Sequence, residues 1–225
     1  MKKNGFTLAE ILISMAIIGT VAAVTIPTLN INANENANIA KYKKTIAALN
    51  NIGAMAVTNS KIDFSSVNTG SPTDANRGDD AEGELREQLW AILDRYGNVD
   101  QRATAAGRNP GGGCADASGV VYFKDGTALC YIVRTVVAND PNMLSYIRCV
   151  VDVNGIKQPN MMSSCDDANC NSRNIRDQFM ITLASDMAFP GRISSLDERT
   201  MNPSYEAVSA TEVTWNNAAI WAFEK

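Results

Sequence analysis

Residues 6–29 read FTLAEILISMAIIGTVAAVTIPTL, an apolar run with a single charge, Glu10. At about 1.5 Å per residue, a helix of this length crosses roughly 30 Å of hydrocarbon, enough for one membrane span. Met1, Lys2, Lys3 and Asn4 stand in front of it. The positive-inside bias keeps that end cytoplasmic and sends the rest of the chain outward. A conventional secretory leader ends on small residues at an A-x-A-like site. Here Ala22-Ala23-Val24 is a weak match, and the run passes through Ile26, Pro27 and Thr28 into a polar, helix-like stretch. The segment therefore reads as an anchor. Glu10 is what a plain anchor leaves unexplained, because a carboxylate in hydrocarbon costs roughly 2.5 kcal/mol or more. Either it snorkels to the headgroup boundary from its place near the helix start, or it has a partner.

The segment Lys2-Lys3-Asn4-Gly5-Phe6-Thr7-Leu8-Ala9-Glu10 resembles the processing site of type IV pilins and of the pseudopilins of type II secretion systems. The shared pattern is a short basic leader, Gly, Phe-Thr-Leu, an acid and an unbroken apolar stretch; Gly19 and Pro27 also fall where that family places a Gly and a bending Pro. The resemblance implies that a membrane-embedded aspartic prepilin peptidase cuts between Gly5 and Phe6 and methylates the new amine of Phe6. Gly5 suits this chemistry, since a residue without a side chain lets a protease approach the backbone. Loss of Lys2 and Lys3 takes Lys+Arg from 20 to 18 against Asp+Glu 24, so the net charge moves from -4 to -6. The resemblance also implies that Glu10 lies against the Phe6 amine of a neighbouring subunit. In a dry helix bundle either charge alone is costly to bury, and the opposed pair sets axial register.

Beyond Pro27 the apolar residues become periodic. Ile39, Tyr42, Ile46, Leu49, Ile52, Ala56 and Val57 recur at steps of three and four, with Lys41, Lys43, Lys44, Asn50 and Asn51 on other faces. A helix continuous from Phe6 to Thr58 would be roughly 80 Å long. Pro27 and the Asn-rich stretch Asn30–Asn38 are where fraying or a bend is expected. The expected division is a leader over 1–5, a membrane and polymerisation helix over 6–29, its amphipathic continuation over 30–58, and an extracytoplasmic α+β head over 59–225. Within the head, Asp63–Asp80 reads as a loop. A helix follows from Asp80 with Leu85, Leu89, Ile92, Leu93 and Tyr96 on one side and Gly97 as terminator; Asn98–Gly113 reads as a second loop. Val120–Phe123 and Leu129–Val133 form a hairpin around Asp125-Gly126, Tyr146–Val153 and Phe179–Leu183 are further strands, and the tail Val213–Phe223, with Trp215 and Trp221, covers or extends the sheet. Asp152-Val153-Asn154-Gly155, Pro159-Asn160 and Asp177-Gln178-Phe179 resemble a recurrent segment of pilin-like heads, interrupted here by an insertion over Met161–Arg176. The fold class expected from both resemblances is α+β, pilin-like, with the long helix packed on a small antiparallel sheet.

Composition prunes other functions. The 225 residues are 45% hydrophobic and 20% charged, ordinary for a folded chain, and their net charge of -4 gives no basic footprint for nucleic acid. With His 0, Ser-His-Asp and Cys-His catalysis and His-ligated zinc drop out. Glu82, Glu84 and Glu87 read as solvated helix charges rather than an enzyme site. All five cysteines, Cys114, Cys130, Cys149, Cys165 and Cys170, lie in the part placed outside the cytosol, where disulfides form. An odd count allows at most two intrachain bridges, and the expected pairings are Cys114 with Cys130 and Cys149 with Cys165 or Cys170. Asp152, Asn154, Asp166, Asp167 and Asp177 are the oxygen donors a calcium ion would use, but their spacing is not that of an EF-hand, and turns and caps are the simpler use. No cofactor is expected. The expected function is a non-catalytic filament subunit in the cytoplasmic membrane, crossing it once with its head outside. Its partners would be the prepilin peptidase, like subunits, and an assembly ATPase with its platform protein. The rival is a membrane-anchored or secreted binding protein that forms no filament.

Overall fold

The structure, a computed structural model, describes residues 7–60, 64, 89–104, 110–115, 117, 119–132, 146–165, 170, 174–184, 186–191, 193–197, 202–205 and 210–225. One helix, α1, runs from Leu8 to Ser60, 53 residues and about 80 Å. It continues through Pro27 and the Asn-rich stretch, where an interruption was expected. Its two halves differ as their sequences do. Leu8–Ile26, 19 residues, has no side chain buried against the rest of the chain, and Leu8, Leu12, Ile13, Met15, Ile17, Ile18, Val21, Val24 and Ile26 are all exposed. Farther on, Ile39, Tyr42, Ile46, Leu49, Ile52 and Ala56 are buried, while Val57, the last of the periodic set, is exposed.

The buried stripe packs on a six-stranded antiparallel sheet in chain order: β1 Val99–Thr104, β2 Gly119–Phe123, β3 Ala128–Ile132, β4 Tyr146–Asp152, β5 Gln178–Ala184 and β6 Met187–Pro190. The fold is thus α+β with a long amino-terminal helix. Period-two alternation sorts the side chains. Val121, Leu129, Tyr131, Cys149, Val151, Phe179, Ile181 and Leu183 join the α1 side of the core. Val120, Ala128, Cys130 and Val150 form a smaller cluster with Cys114 and Ala117. The β2–β3 turn is the expected one, with Gly126 at φ 87 and the Asp125 carboxylate accepting from Thr127 N (3.1 Å) and Oγ1 (2.7 Å).

Helix α2, described over 89–96, buries Leu89, Trp90, Ile92 and Leu93. The start of the helix expected from Asp80 and the expected Asp63–Asp80 loop, Phe64 apart, lie outside the described residues. Helix α3, Ala210–Glu224, covers the core with Ala218, Ala219 and Ala222, and Trp221 packs at its margin. The tail therefore covers the sheet rather than extending it. The expected loop over Asn98–Gly113 is corrected in its first part, which forms β1. That edge strand reads VDQRAT, without an apolar alternation; Asp100, Gln101 and Arg102 are exposed, and Arg102 sits over the Trp90 ring at 4.3 Å. A second hairpin, β7 Ile193–Asp197 and β8 Asn202–Tyr205, was not expected.

α1 meets the β5–β6 turn backbone to backbone at Gly53, where an added Cβ would collide with the Asp186 carbonyl oxygen. Asn50 Oδ1 accepts from Ala188 N beside it (2.6 Å). Gly53→Ala should therefore lower stability by about 1–3 kcal/mol, although helix propensity alone favours Ala by about 1 kcal/mol. Thermal melting of the full chain in detergent checks the sign: a raised midpoint would show that this close approach does not exist.

Candidate assembly site and head latch

The first site is the start of α1. Thr7 caps the helix: its hydroxyl accepts from Glu10 N at 3.3 Å, and the Glu10 Oε2 atom accepts from Thr7 N and Thr7 Oγ1, both at 2.8 Å. This reciprocal arrangement is a capping box, T-x-x-E, in which two amide donors of the open helix end find acceptors. Glu10 therefore has a partner within its own chain, a role the sequence reading had not given to Thr7. Deeper in the span the remaining hydroxyls bond back to their own helix: Ser14 to the Glu10 and Ile11 carbonyls, Thr20 to Ile17, Thr25 to Val21. In this stretch Glu10 is the only charged residue, on a surface otherwise made for lipid or other helices. Gly5 and Phe6 lie outside the described residues.

The second site joins β4 to β5. Asp177, fully buried, accepts from Asn160 N (2.7 Å) and Asn154 Nδ2 (3.0 Å) at Oδ2 and from Met161 N (2.8 Å) at Oδ1, while its carbonyl accepts from Val153 N (2.8 Å). Asp152, also fully buried, accepts from Asn154 N (3.1 Å), Gly155 N and Gln178 Nε2 (2.9 Å). Gln178 in turn donates to the Gly111 carbonyl (2.9 Å) and accepts from Gly113 N (2.7 Å), tying in the Gly112–Cys114 turn. The D-x-N-G, P-N and D-x-F residues thus close on one another. The latch also grips α1. Phe179 stacks on Tyr42 at 4.3 Å, Tyr42 Oη donates to the Met180 carbonyl (3.1 Å), Lys41 Nζ to the Val153 carbonyl (3.2 Å), and Asn38 Nδ2 to the Arg176 carbonyl (3.2 Å). Lys44 reaches Asp125 of the β2–β3 turn at 3.1 Å.

Of the expected calcium donors, Asp152, Asn154 and Asp177 come together, while Asp166 and Asp167 lie outside the described residues. The carboxylate oxygens that meet here accept N–H hydrogen bonds, as Asp side chains do in turns. Among the described residues no group of three His, Cys, Asp or Glu side chains is placed to hold a metal ion. A further acid, Glu35 on α1, is buried with neither oxygen hydrogen-bonded among the described residues; nothing in the structure explains it.

Burial pushes the Asp152 carboxyl up to about 7, with the Asp177 charge adding to it and the Gln178, Asn154 and Gly155 donors opposing. The unfolded carboxyl titrates near 3.8. The folded state therefore holds a proton that the unfolded state has lost between these values, and the stability it confers is present at acid pH and lost as pH rises through about 7. The melting midpoint of the full chain should fall between pH 5 and pH 8 by several degrees, about 1.4 kcal/mol for each unit of difference. Asp152→Asn should remove that slope. An equal slope in the variant would assign the effect elsewhere.

The cysteines are paired as Cys114–Cys130 and Cys165–Cys170, and Cys149 is free. The expected bridge from Cys149 to Cys165 or Cys170 is therefore corrected. Cys149 lies in β4 between Ile147 and Val151, so alternation turns its thiol into the core, and burial raises its pKa far above that of a free thiol, leaving it inert. Cys114–Cys130 closes a separation of 16 residues and pins the Gly112–Cys114 turn to β3, a constraint worth about 3 kcal/mol. Glu82, Glu84 and Glu87 lie outside the described residues; Trp215 and Trp221 are half-buried on α3, and Trp221 packs against the core.

No curated protein and no solved structure matches this chain. Its residues 1–26 match the family model described as the prokaryotic N-terminal methylation motif, the prepilin-type signature of type IV pilins and pseudopilins.

Proposed function

We propose that this protein is a structural subunit, pilin or pseudopilin, of a type IV pilus-like or type II secretion filament, without catalytic residues of its own. The observation that carries this reading is the methylation motif over residues 1–26 standing on a helix whose first 19 residues bury nothing within the chain. Such a surface needs lipid before assembly and other apolar helices after it. A prepilin peptidase cuts between Gly5 and Phe6 and methylates Phe6. The subunit waits in the cytoplasmic membrane as a single-pass protein with its head outside. An assembly ATPase acting through a platform protein then draws it into the filament, where Glu10 pairs with the Phe6 amine of a neighbour. The latch serves this task by fixing the head to the helix that is pulled. No cofactor takes part: calorimetric titration with calcium should give no heat and no change in melting, and a clear rise in melting would reassign Asp152, Asn154 and Asp177 as ligands.

Co-expression with a prepilin peptidase, followed by mass spectrometry of the purified chain, tests the reading. The expected product begins at N-methylated Phe6. An intact Met1, or a start near Thr25, would favour the rival, an anchored or secreted binding protein.

A further inference from the structure

The Asn154-Gly155 step of the latch carries chemistry that its packing role does not use. Asparagine followed by glycine is the dipeptide most open to deamidation, because the glycine nitrogen is unhindered. In that reaction Gly155 N attacks Asn154 Cγ and gives up its proton. The new C–N bond closes a succinimide, the Cγ–Nδ2 bond breaks, and ammonia leaves with the proton. Water then opens the ring to aspartate or isoaspartate.

Each participating group is engaged in this fold. The nucleophile, Gly155 N, donates to the Asp152 carboxylate. The leaving nitrogen, Asn154 Nδ2, donates to Asp177 Oδ2 at 3.0 Å and to the Gln158 carbonyl at 3.5 Å. The oxygen that becomes negative in the tetrahedral intermediate, Asn154 Oδ1, is buried with no donor to stabilise it among the described residues. Gly155 itself is held at φ 70 against the Gly126 carbonyl. We infer that Asn154 is a modification site held shut by the latch, with Asp152 and Asp177 keeping nucleophile and leaving group apart, so that deamidation records opening of the β4 turn. Once it occurs, the change does not reverse by itself. Aspartate at 154 would set a third carboxylate beside Asp152 and Asp177, and isoaspartate would lengthen the backbone by one carbon where the Val153 carbonyl meets Lys41.

The test follows conversion at Asn154 by peptide mass mapping of the full chain in detergent at mildly alkaline pH. In the native chain it should be at least about tenfold slower than in the same chain in urea, the protection that about 1.4 kcal/mol of opening free energy gives. Asp152→Ala should raise the native rate toward the unfolded one while the variant still melts cooperatively, and chains carrying isoaspartate at 154 should melt lower. Equal rates in folded and unfolded chains overturn the inference; so does a slower rate in Asp152→Ala, which would make Asp152 a base that assists the attack. Should that variant not fold, wild type below its urea transition decides. A rate that rises ahead of global unfolding supports local opening, and one that follows the globally unfolded fraction overturns it.

Discussion

Asp177→Ala should destabilise the head by about 3–5 kcal/mol, the range for a buried charged group whose partners are left stranded. Three donors would lose this acceptor: the buried Asn160 N and the half-buried Met161 N and Asn154 Nδ2. Loss of the carboxylate also relieves the repulsion felt by Asp152, which offsets part of the cost and lets the Asp152 carboxyl fall back from about 7. Stranding three donors outweighs relieving one repulsion between groups that are otherwise well hydrogen-bonded. At about 2–4 °C per kcal/mol for a head of this size, the melting midpoint should drop by about 10 °C. Asp177→Asn should recover little, because its amide group would face other N–H donors. Amide hydrogen exchange should accelerate at Asn160 and Met161 before it does in the central strands. A loss below about 1 kcal/mol, ordinary for a surface change, would sink the latch as a stabilising element.

The long helix and the hairpin at Asp125-Gly126 were legible because each rests on local periodicity or on a turn only a few residues can make. Phe6–Thr58 as read and Leu8–Ser60 as found differ by two residues at either end. The latch was half legible. Its Asp, Asn, Gly and Pro residues stood out as a recurrent segment, but their meaning lies in hydrogen bonds between residues far apart in sequence, and Gln178, which joins three segments, has no sequence signature at all. Strand β1 was illegible for a physical reason: an edge strand with polar residues facing solvent shows neither alternation nor an apolar run. Two other misses had signals in plain view. Thr7-Leu8-Ala9-Glu10 is a T-x-x-E capping pattern, and Ile147-Cys149-Val151 places a thiol on the inward face of a strand, away from any partner in a loop.

The capping box gives Glu10 a job besides the proposed pairing with a neighbour's amine, and substitution can tell the two apart. Glu10→Gln keeps an oxygen that can accept from Thr7 N, so the helix start stays capped, but the negative charge is gone. Glu10→Leu removes both, and Thr7→Ala removes the hydroxyl while leaving the charge. Capping contributes about 1 kcal/mol, whereas an opposed charge pair withdrawn from water costs about 3–5 kcal/mol when one partner is missing. If the charge meets the methylated amine of a neighbour, Glu10→Gln and Glu10→Leu should both abolish filaments while the leader is still removed, and Thr7→Ala should assemble with only a modest loss. The readout is sheared filament protein per cell beside the ratio of processed to unprocessed chain. Wild-type filament yield from Glu10→Gln would leave Glu10 as a helix cap alone. A leader retained in all three variants would move the defect to the peptidase step. Mixing wild-type and Glu10→Leu chains sharpens the distinction: a missing intersubunit charge should poison assembly in proportion to the mutant share, since every mutant leaves one amine unpaired, whereas a lost cap harms only the chain that carries it.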